Sequence, residues 1–459
     1  VFDSPTDTTA TVENPMNKKL VNLAVAAALA APAAAMADAT LYGKLHVSID
    51  YADVTNAIAP VLVDPQGNPS GDVIYLDPTG RALLGGGQDF KGWGANAEGD
   101  YIPGVSRANR LGVKGSEDLG GGLKAIYQVE FGVNFADDNV PSGSNGGVSI
   151  RNSFVGLAGG WGTFLVGRHD TPLKISTGKL DLFADTMADY NGTVGFEDLR
   201  VDNAIAYISP SFSGFQLAAA VVSPGGATAG EGLNINSDSL ASAYSLAGIY
   251  KNGPFYASAA YESINSEHGM DSATSLAGDR ACFNPVTNTP TRSCDYINDD
   301  YTKWRVGLGL LDWNGFTLTA IYEDQDNRFA GQTRSAATII DANGNIALGS
   351  VTNGVSDQQL WQVQAGYAFG NNMIKGMYGS VDRGNQRFAA ATRESLSISS
   401  LRKDLNGDRS TWAVAFDHNF SKRTKAYVLY TSVDDDNSDN PYGAGNDWNG
   451  FSLGMIHNF

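Results

Sequence analysis

The sequence predicts an all-β chain that closes into a sixteen-stranded antiparallel β-barrel within a membrane. Three observations support this prediction. Apolar and polar residues alternate along many short segments, sixteen such segments are found, and short turns alternate with long polar loops between them. An even number of antiparallel strands is typical of bacterial single-chain barrels.

The alternation is clear in residues 451–459. Phe451, Leu453, Met455 and Phe459 share one face of the segment, and only His457 interrupts them. Successive side chains of a strand point to opposite faces, so this pattern predicts a strand with one apolar face. Such a strand invites aggregation unless its apolar face meets lipid and another strand pairs its edge, and a closed membrane barrel provides both.

The connections divide into two classes. Seven are short and rich in Gly, Asn and Ser, as in Gly159-Gly160-Trp161-Gly162 and Trp313-Asn314-Gly315, which is typical of hairpin turns. The eight long polar stretches are 54–104, 133–147, 170–199, 223–240, 265–299, 325–357, 382–408 and 435–449. This division predicts short periplasmic turns and long external loops.

The sequence of a soluble β-sandwich or of a β-solenoid would also show alternating apolar and polar residues. A sandwich does not need sixteen strands, however, and a solenoid would show a fixed sequence repeat, which we do not find.

The amino-terminal region has the features of an export signal. Positive residues follow Met16, an apolar run continues to Pro32, and Ala35-Met36-Ala37 has the small-x-small pattern of a cleavage site. We therefore predict an upstream extension at 1–15 that is not native, a signal peptide at 16–37 and a barrel at 38–459.

Composition narrows the possible functions. The chain has a formal net charge of −18, which argues against nucleic acid as a partner. In the predicted mature chain, residues 38–459, no apolar stretch reaches the 18 residues that a transmembrane helix needs.

Cys282 and Cys294 are the only cysteines and lie in one polar segment. In an exported chain a loop disulfide between them is favoured, with free thiols as the alternative.

Four motifs resemble those of the trimeric general-diffusion porins of Gram-negative outer membranes, of the Neisseria, Bordetella and Comamonas type. They are the segment 110–120 (RLGVKGSEDLG), the pair 154–157 and 162–168, the segment 200–207 (RVDNAIAY) and the segment 419–424 (NFSKRT). The first long loop departs from the family, because it is about fifty residues long.

The resemblance implies a homotrimer in the outer membrane that passes ions and small hydrophilic solutes passively, without a cofactor. The implied partners are outer-membrane lipid and lipopolysaccharide, and the barrel assembly machinery, with Phe459 as its signal. A substrate-selective porin that binds one small anion or sugar is the alternative, and an adhesin or receptor built on the barrel is a third possibility.

The resemblance also implies that the third long loop folds inward and that its acidic groups face basic groups on the wall. The acidic residues of this loop are Asp181, Asp185, Asp189, Glu197 and Asp198. The predicted basic wall comprises Arg110, Arg151, Arg200, Lys124, Lys303 and Arg305. Strand parity and the family motifs independently select the first three, whereas parity alone selects the others. Anchoring of the loop is the alternative role for each.

No catalytic or metal-binding motif is found. The five histidines form no H-E-x-x-H pair, and no G-x-S-x-G elbow, C-x-x-C pair or P-loop is present. The acidic run 434–439 lacks the EF-hand pattern, so a solvated outer loop is favoured over a Ca²⁺ site. We therefore predict neither an enzyme nor a metal site.

Overall fold

The computed structural model describes residues 39–58, 61–62, 64–70, 73–75, 84–85, 88–95, 106–133, 148–223, 228–229, 233–234, 240–241, 243–264, 282–284, 289–291, 300–329, 337–340, 346–392, 407–436 and 447–459. The predicted extension and signal peptide, residues 1–37, lie outside these ranges. Among the described residues, no helix is long and apolar enough to cross a membrane.

Within the described ranges, sixteen strands form the wall. They are β1 (Thr40–Ile58), β6 (Arg110–Gly120), β7 (Leu123–Val133), β9 (Ser153–Gly159), β10 (Gly162–Asp170), β11 (Arg200–Ile208), β12 (Phe215–Val222), β15 (Ala243–Asn252), β16 (Phe255–Ile264), β19 (Tyr301–Trp313), β20 (Phe316–Phe329), β22 (Ile346–Phe369), β23 (Asn372–Thr392), β24 (Gly407–Asn419), β25 (Thr424–Asp435) and β26 (Trp448–Asn458).

Ten shorter strands and two short helices lie in the long connections. The strands are β2 (Val61–Leu62), β3 (Val73–Tyr75), β4 (Leu84–Gly85), β5 (Gln88–Ala95), β8 (Val148–Ile150), β13 (Thr228–Ala229), β14 (Leu233–Asn234), β17 (Cys282–Asn284), β18 (Thr289–Thr291) and β21 (Ala337–Ile340). The helices are α1 (Pro172–Thr177) and α2 (Tyr190–Thr193).

The first and last strands close the sheet. β1 and β26 pair antiparallel from Lys44 opposite Asn458 to Val54 opposite Trp448. Every other pair of neighbouring wall strands is also antiparallel, so the predicted sixteen-stranded antiparallel barrel is confirmed. Closure pairs the two strands that would otherwise present free edges.

The two faces of the wall have opposite character. On β1, polar side chains are buried and apolar ones are exposed, the reverse of a water-soluble core. The buried set is Lys44, His46, Ser48 and Asp50, and the exposed set is Leu45, Val47 and Ile49. An apolar outer surface around a polar interior is the arrangement of a membrane barrel.

Aromatic rings pair across neighbouring strands on the outer face. Trp361 contacts Tyr378 with ring centroids 5.5 Å apart, and Trp412 contacts Tyr430 at 5.4 Å. Tyrosine and tryptophan favour the boundary between lipid and water, so these pairs fit an aromatic belt at that boundary.

The short turn between β19 and β20 has the conformation that its sequence predicts. Between β19 and β20, Asn314 and Gly315 both have positive φ, at 51° and 87°. Two successive positive φ angles define the type I′ hairpin turn, which the Asn-Gly pair favours.

The wall strands extend beyond the segments that alternation predicts. β22 begins at Ile346 and β23 continues to Thr392, within stretches that the sequence assigns to long loops. Backbone pairing alone extends these hairpins outside the apolar belt, where no apolar face is needed. The first long loop also pairs, with β5 on β1 and with β3 parallel to β21.

Replacing Leu246 with Arg is expected to destabilise the barrel by about 2–4 kcal/mol, because this exposed residue lies between Tyr244 and Tyr250 on the lipid face. The control is Leu119→Arg, which changes an exposed leucine beside a turn and is expected to cost about 0–1 kcal/mol. Urea unfolding in lipid vesicles measures the free energy of unfolding of both variants. Equal costs would contradict the placement of Leu246 deep in the bilayer and of Leu119 near its edge.

Candidate constriction site

Residues 171–199, here the third loop, begin with a capped helix. The Thr171 hydroxyl accepts a hydrogen bond from the Lys174 backbone N–H, and Pro172 occupies the first helical position. Both features are typical of a helix start. The Ser245 hydroxyl on β15 accepts from the Leu173 N–H at 3.1 Å, so the helix is attached to the inward face of the wall.

The middle of the loop continues along the inner wall. The Thr319 hydroxyl donates to the Leu180 carbonyl at 2.8 Å, and the Gln364 side-chain oxygen accepts from the Leu182 N–H at 2.6 Å. Lys375 donates to the Leu182 carbonyl at 2.7 Å. Three neighbouring strands, β20, β22 and β23, therefore hold the loop through its backbone.

Glycines on the wall admit the loop side chains. A Cβ added at Gly307 would lie 2.5 Å from the Leu180 Cδ1 atom, and one added at Gly379 would lie 2.6 Å from Val194 Cγ2. These approaches exclude larger residues at the two wall positions without movement of the loop. The third loop thus packs against the inner side of the wall between β15 and β26.

The three predicted arginines lie on the inner wall from β6 to β11 and are partly exposed. Arg151 pairs with Glu130 at 2.7 Å, and Arg110 lies 3.9 Å from the same carboxylate. Arg200 pairs with Asp170 at 2.9 Å. The side chain of Arg110 is 28% exposed, that of Arg151 19% and that of Arg200 14%. These three residues are called the arginine cluster below.

One loop carboxylate reaches this side of the wall. Asp185 pairs with Lys44 at 2.5 Å and lies 3.8 Å from Arg110. Its backbone has a φ of 62°, in the left-handed region that Asp tolerates better than most residues. The turn at Asp185 therefore places a negative charge beside the arginine cluster.

Asp181 and Asp189 are both buried, Asp181 against the wall and Asp189 within the loop. Asp181 accepts from the Gln364 amide at 2.8 Å, and Asp189 caps α2 by accepting from the Asn191 N–H at 2.9 Å. Burial raises the pKa of Asp181 to about 6. Burial, and then the neighbouring charges of Asp181 and Asp185, raise the pKa of Asp189 well above its usual value.

Glu197 and Asp198 lie at the returning end of the loop. Glu197 accepts from the Tyr301 hydroxyl at 2.6 Å, and Asp198 accepts from Tyr190 at 2.5 Å and pairs with Arg305 at 2.6 Å. Burial opposes ionisation of Asp198, but the Arg305 charge prevails and lowers its pKa.

Two residues predicted for the basic wall are covered by the loop instead. Arg305 is fully buried between Glu323 and Asp198, and Lys303 is buried against Glu262 while donating to the Glu197 carbonyl. Both side chains lie on the inward face of β19, as strand parity predicts. They hold the third loop in place and do not line open water, because the loop packs over them.

Lys124 also differs from its prediction. It is exposed and lies one residue from the turn between β6 and β7, opposite Asp118. Gly132, the register partner of Arg110, is eight residues further along β7, roughly 27 Å at 3.4 Å per residue. Parity fixes the face of a residue but not its depth, so Lys124 is remote from the arginine cluster.

The structure adds charged residues that the sequence analysis missed. Glu130, Asp170 and Lys44 pair with the predicted groups, and Glu130 shares strand parity with Gln128, so alternation contained this signal. Arg107 and Asp50 form a fully buried ion pair at 2.8 Å. They are separated in sequence by the first long loop, and no local pattern links them.

The remaining predicted groups are Phe459 and the two cysteines. Phe459 exchanges two backbone hydrogen bonds with Gly43, each at 3.1 Å, and its role as an assembly signal stays a prediction. Cys294 lies outside the described residues, so the disulfide with Cys282 also stays a prediction. Within the described ranges, no group of three or more metal-ligating side chains is found.

Comparisons with known proteins agree with this architecture. The family model of the Gram-negative porins matches residues 23–438. An outer membrane porin protein of Bordetella pertussis is 28% identical over 274 residues, which cover 56% of this chain and 61% of that protein. The major outer membrane protein P.IB of Neisseria meningitidis serogroup B is 32% identical over 243 residues, covering 52% of this chain and 57% of that protein. The matched segments therefore span about three fifths of the length of these relatives.

Among solved structures, the anion-selective porin from Comamonas acidovorans has the same fold. Its TM-score is 0.53 at 20% identity, and the alignment covers 92% of this chain and 99% of that chain. The barrel and the match to the family model over most of the sequence lead to one conclusion. The chain belongs to the Gram-negative porin family and is a protein of the outer membrane.

Proposed function

We propose that this protein is a passive channel for ions and small hydrophilic solutes, with a charged constriction between the third loop and the arginine cluster. One observation carries the proposal. The third loop packs against one side of the barrel interior, while three partly exposed arginines lie on the wall from β6 to β11, and one of them, Arg110, approaches the loop at Asp185.

Opposite charges across a narrow aqueous passage create a transverse field. Such a field orients water, favours dipolar solutes that align with it and disfavours apolar solutes of equal size. The partial exposure of Arg110 and Arg151 supports this role, because a fully buried pair would only anchor the loop.

The proposal includes a homotrimer, contacts with outer-membrane lipid and lipopolysaccharide, and insertion by the barrel assembly machinery. The exposed apolar belt supports the lipid contacts. Transport is passive and non-enzymatic in this proposal, with no cofactor. The alternative is a substrate-selective porin, for which Lys44 and the arginine cluster would hold a small anion or a sugar.

The purified, refolded barrel is expected to insert into planar bilayers in threefold-related steps, with a conductance that rises linearly with salt concentration. This behaviour follows from an open, water-filled trimeric pore. Saturable block by one small anion or sugar would instead favour the substrate-selective alternative. A folded barrel that inserts and carries no current would contradict the channel proposal and favour the adhesin or receptor reading.

Replacing both Arg110 and Arg151 with Ala is expected to lower the preference for anions by about fivefold, because two cations leave the narrowest part of the pore. The reversal potential under a salt gradient measures this preference. The control is Arg423→Ala, which removes the same charge from an exposed turn residue and should leave the potential unchanged. An unchanged potential in the double variant would remove the arginine cluster from the constriction.

Anion preference is expected to rise as the pH falls from 7.5 to 5, with a midpoint near 6, because Asp181 loses its charge in this range. Its folded pKa lies above the unfolded value, so the folded state binds the proton more tightly and lowering the pH through 6 also stabilises the loop. Asp181→Asn should lose this step and behave at pH 7.5 like the parent protein at pH 5. The pKa of Asp189 is also raised, so a step that persists in the variant would show that Asp181 is not the titrating group.

A further inference from the structure

Lys114 and Lys179 are exposed lysines of the barrel interior that have no acidic partner among the described residues. Most inward-facing basic side chains of the described chain form ion pairs, as Lys375 does with Asp417. Within the described ranges, no carboxylate lies within 4.0 Å of the ammonium groups of Lys114 or Lys179. Both side chains are exposed.

Lys114 lies on the inner wall below the arginine cluster. It is on β6, opposite Gln128 on β7 and Thr40 on β1, and its ammonium is 5.0 Å from the Tyr42 ring centroid. Four residues along β6 separate it from Arg110, roughly 14 Å toward the short turn that ends the strand. Short turns mark the periplasmic end of such barrels, so Lys114 lies on the periplasmic side of the constriction.

Lys179 lies on the third loop at a similar end of the pore. Its neighbour Leu180 packs against Gly307 and Gly309, in the half of β19 that leads to the turn at Trp313. An exposed side chain on a loop that packs inside the barrel meets the water of the pore. Lys179 therefore adds a cation to the periplasmic half of the interior.

The acidic groups of this end do not cancel the two lysines. Asp417 is shared by Lys375 and Lys425, at 2.9 and 3.1 Å. Asp118 accepts from the Gly120 N–H and lies opposite Lys124 at the turn between β6 and β7. Asp312 lies at the turn between β19 and β20, with a φ of 53°. The described periplasmic half of the interior is therefore net cationic.

We propose that Lys114 and Lys179 form a second cationic station for small inorganic and organic anions on the periplasmic side of the constriction. This inference rests on the proposed channel function and adds an axial polarity to it. The long external loops together contain more Asp and Glu than Lys and Arg, so the proposal assigns net negative charge to the external end of the pore, opposite to that of the periplasmic end.

Opposite charge at the two ends makes an ion current rectify. When the external side is positive, cations enter through the acidic end and anions enter through the basic end, so both accumulate and the current is larger. The opposite polarity depletes both ions. Screening limits the effect, because the Debye length is about 10 Å at 0.1 M salt and about 3 Å at 1 M.

The test compares currents at equal positive and negative voltages in KCl, with the protein added from one side of the bilayer. At 0.1 M, the parent channel is expected to carry about twofold more current with the external side positive, and Lys114→Gln with Lys179→Gln should bring this ratio close to one. At 1 M, both proteins should give nearly symmetric currents.

A matched control and a charge-reversal variant complete the test. Lys91→Gln removes an exposed lysine on β5, on the same face as exposed Trp93, and should leave the ratio unchanged. Lys114→Glu with Lys179→Glu makes both ends of the pore acidic and should abolish the preference for one polarity. A double variant that conducts with the parent ratio at 0.1 M would overturn the second station and leave the channel proposal intact. Absence of current in the parent protein would instead overturn the channel proposal.

Discussion

Backbone hydrogen bonding in a medium without water is the constraint on which this structure depends. A strand exposed to hydrocarbon cannot leave its N–H and C=O groups unpaired, so the sheet has to close. Closure occurs between β1 and β26, where eleven residue pairs from Lys44 to Val54 are in register. Once the sheet is closed, each strand has one face toward lipid and one toward the interior. The parity of a residue along its strand then indicates which of the two environments its side chain faces.

The interior then faces the opposite problem, since a wide barrel encloses polar groups that need partners. The third loop provides part of the solution. Arg305 is fully buried between Glu323 and Asp198, and Lys375 holds the Leu182 carbonyl. Breaking such pairs leaves a buried charge without a partner, which costs several kcal/mol, so they fix the loop in one position. A loop fixed by charges on one side of the barrel leaves the other side for solutes.

Net charge is a poor guide to what a solute meets in this protein. The chain is strongly acidic, yet the wall beside the third loop carries Arg110, Arg151 and Arg200. An ion responds to charges within about one Debye length of its path, so carboxylates on external loops have little influence at the constriction. The positions of charges along the pore, from the acidic loops to the lysines near the periplasm, therefore predict ion selectivity better than the net charge does.

The sequence by itself determined the barrel, the number of strands and the lipid face, because these depend on a two-residue period and on local turn chemistry. The same period predicted an inward direction for Arg110, Arg151 and Arg200. The inward direction of Glu130 could also have been predicted, because Glu130 shares strand parity with Gln128. The tertiary structure alone decided which inward residues stay open to water. Lys303 and Arg305 have the correct parity but lie beneath a loop from more than a hundred residues earlier in the chain. Lys124 has the correct face but lies at a different depth, and of the five loop carboxylates Asp185 reaches the arginine cluster. Period and parity are local properties, whereas depth, coverage and charge pairing arise from contacts between distant segments.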